Sequence, residues 1–292
     1  MSIYPYKVFE TIIEQGSFAK AAEALGVTPS SVSHTVSKLE DEMGFPLFIR
    51  NHGKVTLTDS GKQLLPSIFD YINTETKLDQ ACSEIAGLSK GKVRVGGFNS
   101  VTMAWMPSII KEYQSLYPNI EIHVKQAGYT SILNDVNAGI LDIGFITKAT
   151  APGRKMIEIY DDPLLCVAPS DFVPENKTFV TPEEIKRSTI ILQGGGSEAD
   201  TLEFMGSLGI TASPHLQISD DSALVAMVEA GLGMAIMPSL LFGTKPENVN
   251  IYPIHPQPCR TIGLITVQEQ FLSPAASEMK RVILEYVKSF DL

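Results

Sequence analysis

Along the first 60 residues apolar positions recur at helical spacing, and near residue 55 they change to strict alternation. In Phe18–Leu25, Ala21, Ala22 and Leu25 share one face, and Ser17 stands where a helix cap belongs. Gly26 follows the last apolar residue, where a left-handed stop costs glycine least. Thr28 is placed to cap a second helix with Pro29 at its first position, where a missing N–H does no harm. On that helix Val32, Val36 and Leu39 recur at i, i+4 and i+7 and face a core. Ser30, Ser33, His34 and Ser37 look outward. Two helices joined by a tight glycine turn predict a helix-turn-helix. After the polar run Lys38–Glu42, the segments Met43–Arg50 and Asn51–Thr58 predict a helix end and then a short hairpin with a basic tip, a wing.

From Thr58 to about Leu88 no turn cluster intervenes, so one long helix is expected, bent in its first turns by Pro66. Leu64, Ile68, Tyr71, Glu75, Leu78, Cys82 and Ile85 alternate by fours and threes, the spacing of a coiled-coil seam, although Glu75 interrupts it. Leu65, Phe69 and Ile72 give a second face for packing on the helix-turn-helix. Gly87–Gly91 reads as a hinge. Beyond it strands alternate with helices: Lys92–Gly97, Ile120–Gln126 and Leu141–Ile146 as strands, with helices over Val101–Tyr117 and Ser131–Ala138. A second set has strands Leu164–Ala168, Thr189–Leu192, His215–Ile218 and Met234–Met237, with helices from Glu198 and over Ser222–Ala230; a last helix covers Pro274–Phe290. This alternation predicts largely parallel sheets covered by helices.

Composition changes little. The 292 residues are 44% hydrophobic and 19% charged, long enough for two domains or more. Cys82, Cys166 and Cys259 are far apart, which argues against a disulfide framework. With no signal-peptide pattern and no apolar run near the ~18 residues of a membrane span, the cytoplasm is the expected location. Net charge matters more. It is −10 overall, and residues 1–60 carry five Lys/Arg against seven Asp/Glu. Any DNA contact must therefore come from a local surface, not from bulk charge.

The run Phe9, Phe18, Ala21, Ala22, Leu25, Val32, Ser33, Leu39, Glu40, Gly44, Leu47, Phe48, Arg50, Leu57, Thr58 and Gly61 resembles the N-terminal domain of the LysR-type transcriptional regulators. The resemblance is dense over about the first 65 residues, and the downstream organisation fits the same family. It implies a winged helix-turn-helix (all-α with a small β wing) over residues 1–60 and a linker and dimerisation helix over 58–88. Residues 91–292 would form an α/β two-lobed effector domain with a periplasmic-binding-protein-like fold. Lobe I would hold 91–161 and 268–292 and lobe II 162–267, joined near Asp161–Pro163 and Thr266–Glu269. The resemblance also implies double-stranded DNA as partner, a homodimer or homotetramer, and contact with RNA polymerase. Base contacts would fall to Pro29, Ser30, Ser33, His34 and Ser37, with Arg50, His52 and Lys54 on the backbone. Many members carry Gln in place of Pro29 and Arg in place of His34, so the operator sequence does not follow.

In sheets of this kind ligands bind beyond the carboxyl ends of strands, at helix N-termini. That rule selects Asn99, Ser100 and Thr102, then Thr130 and Ser131, then Thr147, and in the second lobe Gln193 and Gly194. Hydroxyls and backbone N–H groups suit a small anionic effector, a modest preference because no Arg or Lys lies among them. His34, His52, His123, His215 and His255 lack metal-ligand spacing, and no Gly-Lys-Ser/Thr follows Gly194–Gly196. No cofactor, metal or catalytic residue is expected. Two other readings stay open: a solute-binding protein, which leaves the winged domain unexplained, and an α/β enzyme fused to a helical domain.

Overall fold

Three short helices open the chain, α1 (Tyr4–Gln15), α2 (Phe18–Leu25) and α3 (Pro29–Met43), in the computed structural model, which describes residues 3–51, 54–85, 90–210, 216–243 and 246–290. Their apolar faces meet in one cluster of Val8, Phe9, Ile12, Ala21, Ala22, Val32, Val36 and Leu39. Gly26 takes φ +65° and its N–H bonds back to the carbonyls of Ala22 and Glu23, so the turn closes as the sequence predicts. Thr28 caps α3, its hydroxyl accepting the Ser31 N–H at 3.2 Å. Ser17 differs from expectation: it is extended at the cap position, but its side chain makes no capping bond.

The wing is a two-stranded antiparallel ladder, β1 (Phe48–Asn51) and β2 (Lys54–Leu57). A single carboxylate ties it to the helix before it. Glu40 Oε1 accepts the Leu47 N–H at 2.7 Å and the Phe48 N–H at 3.1 Å. The Thr58 hydroxyl donates to the Pro46 carbonyl at 2.7 Å and accepts the Gly61 N–H at 2.9 Å, opening the long α4 (Asp59–Ile85). A Cβ on Gly61 would overlap the Leu47 carbonyl oxygen, so only glycine lets α4 start this close to the wing. Glu40→Ala orphans two amides that a charged acceptor had satisfied, at a cost of about 1.5–3 kcal/mol. The expected result is a winged domain that melts several degrees lower; an unchanged Tm would show that the wing is held by packing alone.

The chain divides into two compact units, residues through α4 with Asn137–Ile140 and Gln268–Pro274, and the remainder. The second unit begins with β3 (Gly91–Gly97), α5 (Asn99–Ala104), α6 (Met106–Leu116), β4 (Ile120–Gln126), α7 (Tyr129–Asn137) and β5 (Ile143–Thr147). One helix was expected over Val101–Tyr117. It breaks at Trp105, because Pro107 cannot donate a helical hydrogen bond and sits at the start of α6. Next come β6 (Ile157–Pro169), α8 (Pro182–Arg187), β7 (Leu192–Gln193), α9 (Ala199–Ser207), β8 (Gln217–Ile218) and α10 (Asp221–Glu229). The series ends with β9 (Ala235–Pro238), β10 (Val249–Pro253), β11 (Cys259–Thr266) and α11 (Pro274–Lys288).

Strand order is β10-β6-β11-β5-β3-β4, with β9 also on β6. β3 pairs in parallel with β4 and β5, as alternation predicts, and β7 with β8. The rest is antiparallel: β9, β10 and β11 all run against β6, and β11 against β5. The sheet is therefore mixed. Neither β10 nor β11 was read from the sequence, and both return the chain without a helical crossover. β6 is one strand serving both halves: Ile157–Pro163 pairs with β11, and Leu164–Pro169 with β9 and β10. β11 lies between β5 and β6 and runs antiparallel to both from Cys259 onward. The Gly87–Gly91 hinge falls largely outside the described residues.

Candidate nucleic-acid interface and ligand cleft

On α3 the two faces separate cleanly. Val32, Val36 and Leu39 are buried, while Pro29, Ser30, His34 and Ser37 are exposed and Ser33 is half-buried. The outward row is slim and carries hydroxyl and imidazole groups, the side chains that can bond base edges or phosphate oxygens without bulk. The Ser30 and Thr28 hydroxyls are 2.9 Å apart at the helix start. Arg50 and Lys54 lie on the two wing strands; their side chains, and all of His52, lie outside the described residues.

The heptad positions of α4 divide. Leu64 and Ile68 pack into the core of their own domain, with Leu65, Phe69 and Ile72. Glu75 is drawn to α1 by an ion pair with Lys7 at 2.7 Å, and Tyr71 meets Tyr6 edge to face. Among its described side chains, Tyr71 at 44% exposure, Leu78 at 62% and Cys82 stay outward.

In the second unit, strand ends converge on one buried charge. Arg260, at the start of β11, is 3% exposed. Its Nε and Nη2 donate to Asp162 Oδ2 at 3.0 and 2.6 Å, Nη2 also donates to Ser100 Oγ at 2.6 Å, and Nη1 donates to Tyr129 Oη at 2.7 Å. The guanidinium lies 4.9 Å from the Phe98 ring centre. Asp162 Oδ1 accepts from Ser239 Oγ and the Leu240 N–H. Alongside, Asp221 accepts amide donors from Asn99 and Gln193, and Gln126 donates to Asn99 at 2.9 Å. Asp200, on α9, is buried; Thr147 and Tyr129 hydrogen-bond its carboxylate, while its Oδ2 meets no donor among the described residues. Burial raises the carboxyls of Asp200 and Asp221 above the usual range, and it pushes the Tyr129 phenol up so that it stays neutral.

The cavity enclosed here is about 10 Å³, room for one water, and is lined by Asn99, Ser100, Tyr129, Gln193, Asp221 and Arg260 among others. The cleft is nearly shut. The Tyr129 N–H donates to the Gly196 carbonyl at 3.1 Å, and a Cβ on Gly128 would overlap the Gly195 carbonyl oxygen. A larger depression of about 400 Å³ near Phe172, Thr189 and Leu232 has Asp171 as its one ionisable lining residue. The convergent chemistry is in the smaller one.

Of the ligand residues selected from sequence, Asn99, Ser100 and Gln193 line this cavity. Thr147 is fully buried beside Thr150, and the buried Thr102 hydroxyl meets no partner among the described residues. Thr130 and Ser131 are exposed, because α7 starts at Tyr129 and turns that side chain inward in their place. The Gly194 N–H is taken by the Ile218 carbonyl at 2.9 Å. Arg260, Asp162, Asp200, Asp221 and Tyr129 were missed. A signal existed: Arg260, Ile262 and Leu264 share strand parity, as do Asp162, Leu164 and Cys166, so both charges fall on buried faces. The three cysteines are free; burial pushes the Cys166 thiol up to about 12. Among the described residues no group of His, Cys, Asp and Glu could hold a metal ion, and no helix is long and apolar enough to cross a membrane.

Comparisons with known proteins give a consistent picture. Residues 5–62 match the family described as bacterial regulatory helix-turn-helix protein, lysR family, and residues 86–288 match the LysR substrate binding domain. The HTH-type transcriptional regulator YvbU of Bacillus subtilis is 28% identical over 267 residues, covering 90% of this chain and 91% of its own. A full-length OxyR variant from Pseudomonas aeruginosa has a similar fold, with TM-score 0.73 at 20% identity over 99% of this chain and 98% of that one. So does full-length CbnR complexed with its target DNA, at TM-score 0.62 and 17% identity over 99% of each chain.

Proposed function

The chain belongs to the LysR family, as a DNA-binding transcriptional regulator with an effector-binding domain, and from that premise we propose how its surfaces divide the work. Pro29, Ser30, Ser33, His34 and Ser37 of α3 enter the major groove. Arg50, His52 and Lys54 of the wing meet the phosphate backbone. The outward hydroxyl row of α3, opposite a fully buried apolar face, carries this reading. Residues 1–60 act as the winged head and 58–88 as linker. Two chains pair along α4 through Tyr71, Leu78 and Cys82, and two such dimers form the tetramer. Pairing doubles the contacts that a chain of net charge −10 can make with one duplex.

The cleft around Arg260 holds a small-molecule effector. Its lobes are residues 91–161 with 259–292, and 162–258, the strand pairing of β11 favouring this division. Effector binding changes the closure of the lobes and so the spacing of the heads, which requires unequal affinity for the two arrangements. The bound regulator then meets RNA polymerase in the cytoplasm, and no catalytic step is assigned to it. Fluorescence anisotropy with duplex from the gene's own upstream region tests the reading. Binding should prefer that duplex over scrambled DNA and weaken steeply between about 50 and 200 mM salt. No binding at any salt would sink it.

A further inference from the structure

The first compact unit includes two stretches that lie far from the rest of it in sequence, Asn137–Ile140 and Gln268–Pro274. Both are seated on the middle of α4. Asn73, only 4% exposed, donates through Nδ2 to the Gly139 carbonyl at 3.1 Å. Gly139 takes φ +75°, and a Cβ there would stand 2.9 Å from Asn73 Nδ2 and 3.0 Å from Phe69 Cβ. A side chain is therefore refused twice, by backbone conformation and by room. Ile140 packs against the same apolar cluster that holds Phe69 and Ile72. One turn along α4, Lys77 Nζ donates to the Gln270 carbonyl at 2.8 Å. Asn73 and Lys77 are spaced i, i+4, so they project from one face of the helix. A buried side-chain amide is costly to leave unpaired, which makes Asn73 a specific seat.

Each stretch continues an element whose other end lies in the cleft. α7 runs from Tyr129, whose hydroxyl accepts from Arg260, to Asn137. β11 runs from Cys259, one residue before Arg260, to Thr266. A helix of that length spans about 13 Å and a strand of that length about 26 Å, and both are stiff. We propose that Asn73 and Lys77 are coupling residues: they hold the far ends of α7 and β11, so that a change at Tyr129 and Arg260 reaches α4 within a single chain. This rests on the readings of the cleft as effector site and of α3 as the DNA-contacting helix. Neither Asn73 nor Lys77 lines the cavity, and both act by positioning. The pairing of two chains then passes on a signal that each chain has already delivered to its own α4.

Coupling between sites is reciprocal, so the path can be driven from the DNA end. Hydrogen exchange of the full chain is measured with and without duplex from the gene's own upstream region. In the parent, duplex should slow exchange in α3 and also, by about fivefold or more, in α7 and β11. Asn73→Ala should keep the slowing in α3 and lose it in α7. Lys77→Ala should keep it in α3 and lose it in β11, and Lys77→Arg, which retains the donor, should behave as the parent. Lys77 is half-buried, so its variants carry the test even if Asn73→Ala folds poorly. A merely structural role would loosen these elements equally with and without duplex. Slowing confined to α3 in the parent, or slowing intact in α7 and β11 of both alanine variants, overturns the coupling and leaves the DNA reading in place. If α3 itself is not slowed, both fall.

Discussion

Arg260→Met is expected to be the most destabilising single change in the effector domain, by about 3–5 kcal/mol. The cost is not the lost attraction alone. Asp162 is fully buried, and removing the guanidinium leaves its carboxylate without a counter-charge in a site that water does not reach. Ser100 and Tyr129 lose a donor at the same time. Urea unfolding followed at Trp105 should show the midpoint falling by about 1–2.5 M, given a slope of about 2–3 kcal/mol/M. Asp162→Leu in the same chain should recover much of the loss, because replacing a buried ion pair by apolar groups is often close to neutral. A single variant with the parental midpoint would mean that the pair is solvated and that the cleft's electrostatics need another description.

The second large effect is on DNA. Ser30→Asp should weaken operator binding by tenfold to a hundredfold or more at moderate salt, about 1.4–3 kcal/mol, since a carboxylate replaces a hydroxyl against phosphate and base edges. The position makes the result clean. Ser30 is exposed in the first turn of α3, where the helix dipole favours a negative side chain. The variant should therefore melt at or above the parental temperature, and the loss cannot be ascribed to a damaged helix. Anisotropy titration beside a thermal melt checks both halves. Parental affinity would show that α3 is not the reading helix.

The winged head was legible because every signal there is local. Thr28, Pro29, Gly26 and the apolar triplet Val32, Val36 and Leu39 sit within a few residues of one another and specify cap, turn and buried face. β4 was likewise read to its ends. The candidate cleft around Arg260 was only half legible, since its centre depends on strands far apart in sequence. β11 has Gly263 in its middle and a charge at its second position, so its apolar alternation is weak. Arg260 looks like a surface residue until Asp162, almost a hundred positions earlier, is placed beside it by strand pairing. Helix-start rules chose Thr130 and Ser131, but a slightly earlier start put Tyr129 inside. A charged residue on the apolar parity of a strand is the sign to follow, because it demands a partner somewhere.

The grip of Glu40 on the first amides of the wing has a consequence for the operator. Helix and hairpin are clamped into one gauge of fixed jaw width, so a head bound as proposed would measure a groove and its flanking strand together. A base pair inserted within one half-site meets a ruler that cannot stretch. In the proposed dimer, tolerance for variable spacing would then reside between half-sites, where the pairing of two chains, and not the head itself, sets the distance.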